Sequence, residues 1–261
     1  MTADARFTSL FWTVWRRNLL VYRRIWVINF LPPLLEPLFY LLAFGVGFSG
    51  LVSDVTWHGR PLGFIRFFAP ALIAATAMWQ AFMETTYASF VRMFYQKTYD
   101  ALLATPLSLE EIIVAEIVWG ATRSGIAATL MLAVVAGLGY APSWQALACL
   151  PIALLGGLAF GAMGMAVTSV TGSIDMFNIP IFLIITPMFL FSGTFFPVDA
   201  LPAWAAHIAA AMPLYHLAEL ARAACLGSLR AASLVHALVL AAFFLAFLPL
   251  ALAGMRRRLI R

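Results

Sequence analysis

A chain of 261 residues that is 64% hydrophobic and 10% charged departs far from soluble domains, which run at about half apolar and a quarter charged. Sixteen Lys and Arg with eleven Asp and Glu cannot clothe such a chain for water, which excludes a soluble enzyme core and points to a polytopic, all-α membrane protein. Of the sixteen basic residues behind the net charge of +5, nine lie in the first 24 and last six positions, as expected for tails facing an anionic leaflet rather than for a nucleic-acid surface.

Residues 1–25 are predicted to form an amphipathic interfacial helix. Phe7, Leu10, Phe11, Val14, Val21 and Ile25 fall on one side, widened by Trp15 and Tyr22, while Arg6, Arg17 and Arg24, with Arg16 and Arg23 beside them, form a basic face. That pattern suits a helix lying in the membrane plane; a helix packed on a partner protein is the alternative. The arginines interrupt any apolar run that could serve as a secretory signal.

Residues 26–261 are expected to form a six-span permease domain. The first span runs from about Trp26 to Ser49, with Pro32, Pro33 and Pro37 bending or breaking its outset and Glu36 inside that stretch. The second covers about Phe67 to Phe90 and carries Glu84. A polar segment over residues 92–107 follows, with Arg92, Gln96, Lys97, Tyr99 and Asp100, then Leu102 and Leu103 before Pro106. Ser108 and Glu111 have capping-box spacing, with Leu107 and Ile112 as a hydrophobic staple, so the third span starts there and reaches about Gly137. The fourth, about Ala146 to Val170, carries Gly157, Gly161 and Gly164, small residues that invite close helix approach. The fifth, about Met176 to Phe191, contains Pro180 and Pro187. From about 192 to 232, two half-length helices broken by Pro202 and Pro213 suggest a re-entrant segment dipping into the outer face. The sixth span, about Leu234 to Ala253, runs into Arg256, Arg257, Arg258 and Arg261.

Six spans place eleven basic residues on the cytoplasmic side, Arg92 among them, against Arg60, Arg66, Arg222 and Arg230 outside, with Arg123 inside a span. Both termini are therefore expected in the cytoplasm.

Four charged residues are candidates at membrane depth: Glu36, Glu84, Glu116 and Arg123. Each is costly there unless paired or wetted. Glu116 and Arg123 are seven residues apart, too far for a direct pair, so each needs another partner; Glu36 and Glu84 are the candidates by type. Arg123 reads as a structural pair, a contact on a substrate route, or a snorkelling side chain. Glu36 either satisfies broken backbone or faces a polar cavity. His58, His207, His216 and His236 form no metal-ligand spacing, Cys149 and Cys225 read as buried small hydrophobes, and no triad spacing appears. No glycine-rich loop ends in Gly-Lys-Ser or Gly-Lys-Thr, so no enzymatic role, catalytic residue, metal or bound cofactor is assigned, and energy for uphill transport must come from another chain or an ion gradient.

Several stretches taken in order carry a resemblance: Trp15-Arg16-Arg17-Asn18, residues 82–90 (FMETTYASF), residues 99–108 (YDALLATPLS), residues 191–198 (FSGTFFPV), then Leu201-Pro202 and Pro213-Leu214. Together they make the chain resemble the type-2 ATP-binding-cassette transporter permeases, specifically the group around the nodulation-factor (lipo-oligosaccharide) export permease and the daunorubicin-type drug exporters. The resemblance implies a homodimer in the bacterial inner membrane, bound to two cytoplasmic ATPase subunits that hold ATP and Mg2+. It also implies a coupling segment that docks on the ATPase, with Tyr99, Asp100, Leu102, Leu103 and Pro106 as its residues here, and re-entrant helices before the last span. The implied cargo is an amphiphile, a lipo-oligosaccharide or lipid-linked glycan first and a hydrophobic drug second. A stand-alone secondary transporter is the rival, weakened by the lack of similarity between the halves of the chain.

Overall fold

Backbone polar groups inside a bilayer must be satisfied within the protein, and this chain does so almost entirely with helices. A computed structural model describes residues 10–48 and 54–259, apart from the side chains of residues 33, 34, 36, 37, 46 and 48. Arg6, Phe7, Ser49, Arg261 and the side chain of Glu36 thus lie outside the described residues.

Helix α1 (Phe11–Arg24) turns its buried Val14 and Asn18 toward the body of the protein. Trp12, Leu20 and Val21 are exposed on its other sides. One side of it packs on its own chain, with Trp15 Nε1 donating to Thr122 Oγ1 at 2.9 Å. The backbone leaves helical geometry at Ile25, where φ is −121° and ψ 27°. Helix α2 (Trp26–Phe48) then continues through all three prolines. The expected break lies at Ile25 instead, because proline fixes φ near a helical value and removes hydrogen bonds without necessarily ending the helix.

A two-residue turn of His58 and Gly59, both with positive φ, joins strands β1 (Asp54–Trp57) and β2 (Arg60–Gly63) in antiparallel register. This turn type matches the twist of a hairpin, a small element that an all-helical reading misses. The hairpin leads into α3 (Phe64–Tyr95), which is longer than expected. Its extra length comes from two π segments, Glu84–Ala88 and Val91–Tyr95. They carry the helix past Phe90, so Arg92 lies within it rather than in a loop.

Lys97, in the left-handed region at φ 52°, turns the chain into α4 (Thr98–Leu103). Helix α5 (Leu109–Gly137) starts with the expected capping box: Glu111 N–H donates to Ser108 Oγ at 3.2 Å and Ser108 N–H to Glu111 Oε2 at 2.9 Å. Then follow α6 (Trp144–Val170) and α7 (Ile174–Phe191), the two short helices α8 (Ala203–Ala210) and α9 (Pro213–Cys225), and α10 (Ala231–Leu259). Among the described residues, five helices (α3, α5, α6, α7 and α10) are long and apolar enough to cross a membrane. The protein is an all-α polytopic membrane protein with one small hairpin.

Helix α3 is the hub, packed against α5, α6 and α9. Phe67 through Thr76 are buried on every side of it, the pattern of a helix enclosed by others. The glycines of α6 let it close on both neighbours: a Cβ on Gly157 would lie 2.7 Å from Ala121 Cα and one on Gly161 3.3 Å from Ile117 O, both in α5, while one on Gly164 would lie 3.1 Å from Phe82 O of α3. Phe68, Leu72, Met78, Phe160 and Leu217 fill one core, while Val14, Phe90, Tyr99, Ile112 and Met255 fill a second.

Candidate functional site

The second core holds a network of charges. Glu84 opens the first π segment of α3 and Arg92 lies in the second, eight residues on and about two turns away, so Arg92 can reach back along the helix. Its Nη1 donates to Glu84 Oε1 at 2.8 Å, and its Nη2 forms a close ion pair with Glu116 of α5. Asn18 of α1 donates to Glu116 Oε1 at 3.1 Å, and Trp119 Nε1 donates to Glu84 Oε1 at 3.0 Å. Arg123 Nη1 lies 3.6 Å from Glu84 Oε2, and the same guanidinium donates to Asn29 Oδ1 and Gln80 Oε1, both at 3.1 Å. Tyr22 sits under it, 5.0 Å from ring centre to guanidinium carbon.

Three of the four charged candidates thus meet, Glu84, Glu116 and Arg123, while the side chain of Glu36 is outside the description. Glu116 and Arg123 do not touch; Arg92 and Glu84 stand between them. Arg92 thus lies in helix α3 rather than in the loop expected after Phe90. The signal that could have found it is helical spacing, since residues 84 and 92 share a face if the helix does not stop at Phe90. With Glu116 fully buried and Glu84 nearly so, neither carboxylate could stand in a membrane core without these partners.

Beside the network, between α1 and the α3–α5 pair, lies a cavity of about 520 Å³. Arg17, Asn29, Gln80, Arg92 and Arg123 supply polar groups to its wall, and Tyr22, Tyr87 and Trp119 supply aromatic ones.

The coupling candidates separate by burial. Tyr99 is fully buried, its hydroxyl 2.5 Å from Ser89 Oγ. Burial, reinforced by Glu116, pushes its phenol well above the ordinary tyrosine range. Leu102 and Leu103 are half-buried against the second core. Asp100, with Lys97 Nζ at 3.9 Å, and Pro106 are exposed, as are Ala101, Ala104 and Thr105. Only part of the candidate set is therefore open to another protein. Tyr99 instead ties α4 to α3.

A second charged cluster lies near the hairpin. Arg222 of α9, assigned to the exterior by charge counting, is fully buried. It forms a close ion pair with Glu219, donates to Phe67 O at 3.0 Å and Gly193 O at 2.7 Å, and lies 3.8 Å over the Phe67 ring. Glu219 also accepts from Trp57 Nε1 at 3.1 Å and meets His58 Nε2 at 3.1 Å. Next to it His216 Nδ1 and His236 Nδ1 are 2.8 Å apart. Glu219 and Arg222, three apart on one short helix, carried the pairing signal.

Comparison with known proteins gives a consistent answer. The profile of the family described as ABC-2 type transporter matches residues 9–226. Nodulation protein J of Rhizobium leguminosarum bv. viciae is 38% identical over 248 residues, covering 95% of this chain and 94% of the relative. Nodulation protein J of Rhizobium meliloti (strain 1021) is 35% identical, covering 95% and 93%. The inner membrane transport permease YadH of Escherichia coli K12 is 23% identical, covering 74% and 75%.

Proposed function

The chain belongs to the ABC-2 type transporter family, and from that premise we propose that two copies of it, joined to two cytoplasmic ATPase subunits, export a lipo-oligosaccharide or lipid-linked glycan. It is a multi-pass permease subunit of the inner membrane. In this reading ATP and Mg2+ are bound by the partner, not by this chain. The observation that carries the proposal is the end-to-end similarity to the nodulation proteins J, 38% over 95% of the chain.

The reading takes α2 as a sixth span. Its 23 residues make a helix of about 35 Å, enough for a hydrocarbon core of about 30 Å. It puts both termini in the cytoplasm and treats α8 and α9 as a re-entrant pair at the outer face. Moving the paired Arg92 and Arg222 out of the charge count leaves ten basic residues inside (eleven minus one) against three outside (four minus one), and the bias still favours that orientation.

Mechanistically, α4 docks on the ATPase through the exposed Asp100, Ala104 and Pro106. Tyr99 passes displacement to α3 through Ser89, and the Ser108 cap passes it to α5. Closure of the ATPase pair on ATP then reorients the two permeases and opens a route outward.

The test is assembly followed by stimulation. The chain, expressed with a cognate ATP-binding-cassette ATPase, should purify as a complex of two and two. Its ATP hydrolysis should rise with a lipid-linked oligosaccharide. A stable monomer that transports alone in liposomes, or stimulation by small hydrophilic ions alone, would overturn the proposal.

A further inference from the structure

The cavity beneath α1 holds more positive than negative charge on its wall. Arg17, Arg92 and Arg123 line it, against Glu84. Glu116 lies behind the wall, fully buried and already engaged by Arg92 and Asn18. Counting it, three guanidiniums still face two carboxylates. The surplus is traceable to Arg17, which makes no ion pair among the described residues and donates to Asn18 Oδ1 at 3.1 Å. Arg92 Nε is also buried with no hydrogen-bond partner among the described residues. A half-buried guanidinium with a neutral amide as its neighbour is incompletely compensated, and an arriving oxyanion would form a charge-assisted hydrogen bond there.

The rest of the wall says what kind of molecule would carry that oxyanion. Val21 and Ile25 border the cavity and are about half exposed, at 51% and 47%. They form an exposed apolar lip along the α1 side of the cavity. A volume of about 520 Å³ falls in the range of about 300–1,000 Å³ usual for small-molecule sites. A cationic interior with an apolar lip fits an amphiphile whose head enters while its chains stay in the leaflet.

We propose that the cavity between α1 and the α3–α5 pair binds the phosphate- or sulfate-bearing head of an amphiphile from the inner leaflet, with Arg17 supplying the unmatched charge. The location in that leaflet rests on the orientation proposed above. Burial draws the Arg17 guanidinium below its ordinary pKa, and Glu116 offsets this in part; a bound anion would relieve the same penalty.

The experiment uses the full chain in neutral detergent and native mass spectrometry, titrating phosphatidylglycerol against phosphatidylcholine. Wild type should retain phosphatidylglycerol selectively. Arg17→Gln should weaken that retention roughly tenfold, the loss of one charge-assisted hydrogen bond, while Arg17→Lys keeps part of it. Arg16→Gln removes the same charge from an exposed position on the same helix and should change little. Equal loss in Arg16→Gln and Arg17→Gln would mean general surface attraction, and no loss in Arg17→Gln would mean no site; either overturns the proposal. Inorganic phosphate and glycerol phosphate distinguish the sources: if either displaces phosphatidylglycerol at an equal concentration the site is a free-anion site and the amphiphile proposal falls, whereas retention against a large excess of both, with the Arg17 dependence intact, supports a lipid-borne head. No ATPase is present, so Arg17-dependent binding would survive a failure of the export reading. Conversely, an exporter that shows no Arg17-dependent binding loses this site alone.

Discussion

The two buried charge clusters use the same chemistry toward different ends. Around Arg222 everything closes: its donors end on Glu219 and on two backbone carbonyls, Phe67 O and Gly193 O, and its flat face rests on Phe67. That arrangement pins α9, the start of α3, the loop at Gly193 and the hairpin to one another. Around Arg92 and Arg123 the donors end mainly on side chains of α2, α3 and α5, with one longer bond to Glu84 O at 3.4 Å; Asn18 of α1 joins by donating to Glu116, and one side opens on a cavity. Side chains can exchange partners, whereas backbone carbonyls in packed helices cannot. The Arg222 cluster, the outer one in the proposed orientation, is a fixed joint, and the Arg92–Arg123 cluster, the inner one in that orientation, is a place where four helices meet through replaceable contacts.

The sharpest way to break this comparison is to remove the outer arginine. Arg222→Met leaves Glu219 charged in a buried site and orphans two carbonyls, so it should cost about 3–5 kcal/mol and leave little folded protein in detergent. Thermal unfolding and membrane yield measure it. Adding Glu219→Gln to that variant should restore much of the yield, because no lone charge remains. A folded Arg222→Met that had merely lost transport would assign the outer cluster to the working machinery instead.

The inner cluster should respond in the opposite sense. Glu84→Gln keeps the shape and the acceptor of the Trp119 bond but removes the charge that Arg92 and Arg123 share. A stability loss of about 2 kcal/mol is expected, with the protein still assembled and transport largely lost. If transport persisted at the wild-type rate, the network would be a joint like the outer one.

A third change separates the network from what drives it. Asp100→Arg together with Ala104→Glu alters exposed positions of α4 and its end, where surface substitutions cost within about 0.5 kcal/mol. Folding and lipid binding should be unchanged while co-purification with the ATPase is lost. A charge at Leu103 would be a poorer probe, since that side chain is half-buried against the second core. Normal assembly of the double variant would remove α4 as the docking element.

How much of this was legible before the coordinates depends on whether the signal is local. The capping box at Ser108, the small residues of α6 and the two proline-separated half-helices are written in short spacings, and each is found where expected. Arg92 was misplaced because a π segment has no spacing signature of its own; α3 runs on past Phe90 through tertiary packing around Phe90, Met93 and Tyr99. The burial of Arg222 was illegible on other grounds: charge counting assigns a side of the membrane but not a depth, and its partners Phe67 and Gly193 are remote in sequence. Tyr99 is a coupling candidate through the family resemblance alone, which carries no burial signal, and its ring fills the second core.

The mildest test sits between the two outcomes. Ser108 Oγ accepts the hydrogen bond of Glu111 N–H in the first turn of α5, and Ser108 N–H donates one in return to the Glu111 carboxylate. Ser108→Ala removes the first and leaves the second possible, so about 1 kcal/mol of stability should be lost. The helix would still be held by Ile112 and Ile113 in the second core and by Glu116 in the ion network, which is why only a small reduction in transport is expected. The measurement is a thermal shift set beside the transport rate of the assembled complex. If transport instead fell as far as in Glu84→Gln while stability moved little, the start of α5 would be more than an anchored helix end. The rigidity of that first turn would then itself be what carries the displacement of α4 into the network.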